Sequence, residues 1–162
     1  MSTRANELAN RLEKGANQLL AFAEGLSQAE WETICPTEKR SIGVLVHHVA
    51  SAYLVEVDLI RDLASSKAIE GVSWDMVDQM NAEHADTQAS CSKTETLELL
   101  KQNSALAAGA VRALSDEQLD KVSPISLNWN APLTTQYFIE EHPISHSYAH
   151  LASIRTTLND AV

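Results

Sequence analysis

The chain has 162 residues, 44% of them apolar, enough for one core that buries roughly two thirds of the unfolded surface without staples. Its formal net charge of −10 argues against nucleic-acid binding, which needs Lys and Arg to neutralise phosphates, and no basic cluster appears. The two cysteines, Cys35 and Cys91, form no CxxC pair or disulfide scaffold, and the N-terminus has no apolar signal region, so a reducing cytoplasm is the expected location.

Leu8, Leu12, Gly15, Leu19, Phe22 and Leu26 recur at steps of four and three, which predicts a first helix over residues 3 to 26. Ser27-Gln-Ala-Glu30 has the form of a capping box and predicts a short helix that Pro36 ends. A second long helix is expected from 37–41 to about 65, with Leu45, Val49, Ala52, Glu56, Leu59 and Leu63 facing inward. The apolar run from Ile42 to Ile60 is broken by His47, His48, Glu56 and Asp58, and so reads as a buried helix instead of a membrane span. At about 100° per residue, His48 lies about 60° from Leu45 and His47 about 160° from it. His48 is therefore expected to point in and His47 out. Glu56 lies inside the apolar stripe, where a carboxylate needs a partner. The expected partner is Arg112 or Arg155, and a supporting role beside a functional site is the alternative.

Residues 67 to 72 read as a loop, and Ser73 as the cap of a helix on which Met76, Val77, Met80 and His84 share one side. That stripe is expected to be core, with His84 a hydrogen-bonded wall residue. Ser92-Lys-Thr-Glu95 opens a third long helix, whose inward stripe is Leu97, Leu100, Ser104, Ala107, Val111 and Leu114. Its alanines and Gly109 are expected to allow close helix approach. Ser115-Asp-Glu-Gln118 marks the exit into a turn. Residues 123 to 132, with Pro124, Asn128, Asn130 and Pro132, read as a loop that carries Trp129. No alternating segment predicts a sheet, and no internal repeat appears.

The last helix carries His142, His146 and His150 at intervals of four, so their imidazoles stack on one face. Imidazoles at this spacing can converge on a divalent metal, and a His-rich polar face is the equally weighted alternative. Pro143 removes a backbone donor inside the helix and predicts a kink or bulge close to His146. Tyr137, Ile144, Tyr148, Leu151 and Leu158 form an apolar stripe nearly opposite the histidines. If the histidines face inward, this stripe needs cover from residues 74 to 88 or from a second subunit, and a homodimer is expected on that ground.

The order of four segments resembles one family. They are Leu26-Ser-Gln-Ala-Glu-Trp31, Ser41-Ile-Gly-Val-Leu-Val-His-His48, Arg112-Ala-Leu-Ser-Asp-Glu-Gln-Leu119, and Phe138-Ile-Glu-Glu-His-Pro-Ile-Ser-His146-Ser-Tyr-Ala-His150-Leu-Ala-Ser-Ile-Arg155. Together they resemble the DinB-like superfamily over nearly the whole chain. The resemblance implies an all-α, single-domain four-helix bundle of up-up-down-down topology, with short extra helices in its loops. It further implies a divalent metal, zinc or nickel foremost, held by His48 from the second long helix and the HxxxH pair His146 and His150. Relatives include enzymes that use mycothiol or bacillithiol, which implies a low-molecular-weight thiol cosubstrate and a small-molecule substrate. The chain has His-Leu-Ala-Ser after the pair where many relatives have His-Arg-Gly, and it adds His142 and Pro143 upstream, so His142 with His146 stays open as an alternative pair.

Three imidazoles leave an ion's charge intact and a coordination position open, the arrangement of a catalytic site. The function expected is a metal-dependent thiol S-transferase or hydrolase, with His84, Glu56 and Trp129 as supporting groups. The rival is a non-catalytic, stress-related bundle that binds a metal or small molecule. No GxSxG, HExxH, P-loop or GxGxxG motif supports serine-hydrolase, zincin or nucleotide chemistry.

Overall fold

The computed structural model describes residues 2–159. Ser2 caps α1 (Thr3–Glu24) through the Ala5 backbone N–H, and Ala5, Leu8, Leu12, Ala16 and Leu19 bury its inward face. The capping box at Ser27 and Glu30 forms and starts α2 (Gln28–Glu32). A hairpin of β1 (Ile34–Cys35) and β2 (Arg40–Ser41) then runs directly into α3 (Ile42–Ala64), which Ser41 caps. After a loop, α4 (Trp74–Thr87) leads to α5 (Lys93–Arg112) and the short α6 (Asp116–Leu119). A second hairpin, β3 (Val122–Ile125) with β4 (Ala131–Thr134), precedes α7 (Thr135–Ile139). The last arm continues through a π-helical turn at Glu140–Ile144 into α8 (Ser145–Asn159).

Contacts between the long helices set their directions. At its start α1 meets α6, just beyond the end of α5, through Arg4 and Asp120, and at its end it meets the start of α5 through Lys93 and the Glu24 carbonyl, so α1 and α5 are antiparallel. Helices α3 and α5 are parallel, with Trp31 beside Gly43 donating to the Cys91 carbonyl and Asn103 donating to the Ala50 carbonyl. The last arm is parallel to α1, pairing Arg11 with Glu140 and Phe22 with Arg155, and antiparallel to α3. Around the bundle, in the order α8, α1, α5, α3, the directions read up, up, down, down. Along the chain they run up, down, down, up, because the crossover through α4 returns the chain to the end where α3 began.

Helix α3 is long and apolar enough to cross a membrane by length and composition, but 56% of that window is buried as a core helix of the bundle. Two glycines permit close packing. A Cβ on Gly43 would lie 2.3 Å from Trp31 Nε1, and one on Gly15 would lie 2.8 Å from the Tyr148 ring. Gly109, expected to serve this purpose, has open space around it. Gly43→Ala is therefore expected to destabilise the chain by about 1–3 kcal/mol through overpacking against the buried Trp31, read as a lower midpoint in urea unfolding.

Three further expectations change. Residues 122–134 form a hairpin and not a loop. Its Pro124 and Pro132 face each other in a ribbon that has only edge strands, where a missing N–H is tolerated. Helix α4 buries none of its residues, and Met76 and Met80 are 49% and 59% exposed. The bundle's four core positions are already filled, and α4 lies outside them. The apolar stripe of the last arm is covered by α1, with Tyr148 seated on Gly15 and Ile144 and Leu151 buried. It needs no second subunit and so gives no argument for a homodimer.

Candidate metal centre

His48 comes from α3, and His146 and His150 come from α8, which runs antiparallel beside it. One ring nitrogen of each lies within 4.8 Å of the others. His48 Nε2 and His146 Nε2 are 3.0 Å apart. The π-helical turn around Pro143 is the bulge expected near His146. Its extra residue rotates His142 off this face, and the His142 ring stacks on Phe138 with centroids 4.4 Å apart. The structure thus brings together His48, His146 and His150 and leaves His142 in a different contact.

Two carboxylates orient the pair on α8. Glu56 Oε1 lies 3.0 Å from His146 Nδ1, and Glu38 Oε1 lies 3.1 Å from His150 Nδ1. Each imidazole therefore donates from Nδ1 and turns the Nε2 lone pair inward. The partner of Glu56 is His146, not Arg112 or Arg155; Arg112 instead pairs with Glu13, and Arg155 stands over Phe22. Glu56 belongs to the site. Its Oε2 is buried and accepts no hydrogen bond.

Glu38 was not visible as a site residue in the sequence. It sits in the 36–39 loop of the first hairpin, where Pro36 opens a turn closed by the Glu38 N–H on the Cys35 carbonyl, and Lys39 takes a left-handed conformation with φ of 57°. Nothing periodic marks such a residue; only the fold brings this loop to α8.

Burial, and then the neighbouring histidines, push His48 down to about 2. Burial also holds His150 below its ordinary value despite the opposing pull of Glu38. The hydrogen bond from His150, with help from Arg40, holds Glu38 down to about 2. His48 and His150 are therefore held toward neutral imidazole and Glu38 toward the ionised carboxylate, the protonation states that ligand binding requires.

His47, expected to point outward, is half-buried, and its Nδ1 lies 2.9 Å from His84 Nε2. Burial lowers both below the ordinary imidazole value. The His84 ring also stands edge-on to His48, with centroids 5.6 Å apart, so α4 reaches the site through His84. The outward reading of His47 failed because α4 covers that side of α3. Trp129 is 91% exposed at the tip of the second hairpin and is not a wall of the site.

The donor set fits a divalent ion. Three imidazole nitrogens converge, two of the rings fixed by carboxylates, and the 3.0 Å spacing approaches the roughly 3.3 Å between nitrogens on tetrahedral zinc.

The fold has close structural relatives. YfiT from Bacillus subtilis, described as a "probable metal-dependent hydrolase with an unusual four-helix bundle topology", aligns with a TM-score of 0.77 at 14% identity, covering 99% of this chain and 90% of that one. An uncharacterised protein from Clostridium difficile 630 aligns with a TM-score of 0.76 at 15% identity, over 100% of this chain and 99% of the other. No curated protein matches the sequence. At these identities the structural likeness speaks for the fold alone. The model of the DinB superfamily matches residues 11–154, from the third turn of α1 to the last turns of α8. The chain is a four-helix-bundle member of the DinB superfamily.

Proposed function

We propose that this chain is a metal-dependent enzyme that acts on a small molecule, with His48, His146 and His150 holding a divalent ion, zinc or nickel foremost. One observation carries the reading. The two imidazoles on α8 each have Nδ1 held by a carboxylate while one nitrogen of each of the three rings converges on a common point. A purely structural His face has no need of two carboxylates that both fix the inward tautomer.

When bound, the ion supplies Lewis-acid activation of a nucleophile near neutral pH. The residues do the rest. Glu56 and Glu38 keep protons on His146 Nδ1 and His150 Nδ1, and the free Glu56 Oε2 is the nearest buried acceptor for a proton released in the site. His47 and His84 close the α4 side and limit access of water.

Hydrolysis is the favoured reaction, supported by the description given to YfiT. Thiol S-transfer is the second reading, supported by the thiol-dependent members of the family. The expected location is a reducing cytoplasm, which suits the free Cys35 and Cys91.

The test is a panel of ester, amide and electrophilic substrates, each with water alone and with added low-molecular-weight thiols. Turnover is expected to disappear with a chelator and return with zinc or nickel. Thiol-dependent turnover selects transfer, and thiol-independent turnover selects hydrolysis. Turnover that survives complete metal removal contradicts the proposal.

A further inference from the structure

Arg40 pairs with Cys35 across the first hairpin and stands immediately before the Ser41 cap of α3. Its guanidinium is divided between two tasks. Nη2 donates to Glu38 Oε2 at 2.9 Å, on the carboxylate whose other oxygen receives His150. Nη1 is buried and has no hydrogen-bond partner. The side chain is only 12% exposed.

An arginine stays charged when buried, and its planar fork suits carboxylates and phosphates. A buried charged donor without an acceptor is unfavourable, more so than a neutral one. Holding Glu38 needs only one arm of the fork. A lysine could do that, so the second arm is unexplained by a structural role.

Its position is beside the metal centre: Glu38 links the guanidinium to His150, whose ring lies against those of His48 and His146. Glu38 and Arg40 cancel each other's charge. A divalent ion facing the single remaining carboxylate, Glu56, leaves the site with positive charge to be neutralised. Glu38 is the only acidic partner of Arg40 among the described residues.

We propose that Arg40 Nη1 binds an anionic oxygen group of the substrate, a carboxylate or phosphate, beside the metal centre. The substrate class is therefore a small anionic molecule. This deepens the metal-enzyme reading and rests on it for the identity of the reacting site, but anion binding by Arg40 is measurable without metal or turnover.

The test is isothermal titration calorimetry of the full chain with acetate and with inorganic phosphate, in metal-free and zinc-loaded forms, beside neutral acetamide. The wild-type chain is expected to bind at least one of the two anions in the metal-free form and to ignore acetamide. Arg40→Gln is expected to weaken that binding at least tenfold while zinc stoichiometry is kept. Arg40→Lys, which keeps the charge and the contact with Glu38, guards against a folding defect and is expected to weaken anion binding at least threefold. Equal anion affinity in wild type and either folded variant overturns the assignment, as does absence of anion binding by the metal-free wild type. If Arg40 merely holds Glu38, Arg40→Gln weakens zinc binding through His150 and leaves anion binding unchanged. Failure of the metal reading looks different: no zinc binds, yet the Arg40-dependent anion signal persists.

Discussion

Replacing His146 with alanine is expected to abolish stoichiometric zinc or nickel binding, whereas His142→Ala is expected to leave it intact. His146 stands at the centre of the site, 3.0 Å from His48 Nε2 on one side and 3.0 Å from Glu56 Oε1 on the other. Its removal takes away one of three ligands and strands a buried carboxylate. The loss should exceed the roughly 10–100-fold that removing a supporting group costs. His142 lies within the π-helical turn and stacks on Phe138 instead. Metal content after dialysis, measured by mass spectrometry on both variants, separates the two registers left open by the HxxxH spacing. Full occupancy in the His146 variant, or its loss in the His142 variant, contradicts the assignment.

The second large effect is expected at Glu56. Glu56→Gln keeps the size of the side chain but replaces one carboxylate oxygen by an amide that can turn its NH2 toward His146 Nδ1, so the ring is no longer held in one tautomer and orientation. Metal affinity is expected to fall by about 10–100-fold, with Glu38→Gln behaving alike through His150. Competition against a chromophoric chelator reads the affinity directly. Unchanged affinity in both variants would show that the carboxylates are structural partners only.

The two halves of the site differ in how far they could be read from the sequence. His48 lies on a long helix whose phase is set by apolar residues such as Leu45, Val49 and Leu63, all buried, and periodicity carries its inward direction. On the last helix the spacing left His142 open beside His150, and only the family resemblance implied the pair His146 and His150. Pro143 likewise announced a disturbed helix, because a missing N–H has a local consequence. Ser27 and Ser115 form the capping boxes that their local spacing suggested, and Ser115 starts a short helix where only a turn was expected.

Glu38 and Arg40 were invisible for the opposite reason. They occupy a short hairpin with no period, and their meaning comes from a loop docking against α8 over a hundred residues later. The stripe of Met76 and Met80 misled because amphipathic spacing shows that a helix has an apolar side, not that the core has room for it. His47 was misplaced by the same limit, since the phase of α3 says nothing about α4 covering its flank. The second hairpin escaped notice because Pro124 and Pro132 read as loop residues and its strands are only four residues long.

Whether this bundle holds a divalent ion on three histidines is read from its metal content. The native chain and a His48→Ala, His146→Ala double variant would be purified without affinity tag or chelator and incubated with zinc or nickel. Near one ion per chain is expected in the native protein and none in the variant, with the helical circular-dichroism spectrum of both intact. No metal in the native chain, or equal metal in both, would contradict the three-histidine site and leave the histidines as a hydrogen-bonded polar face of the bundle.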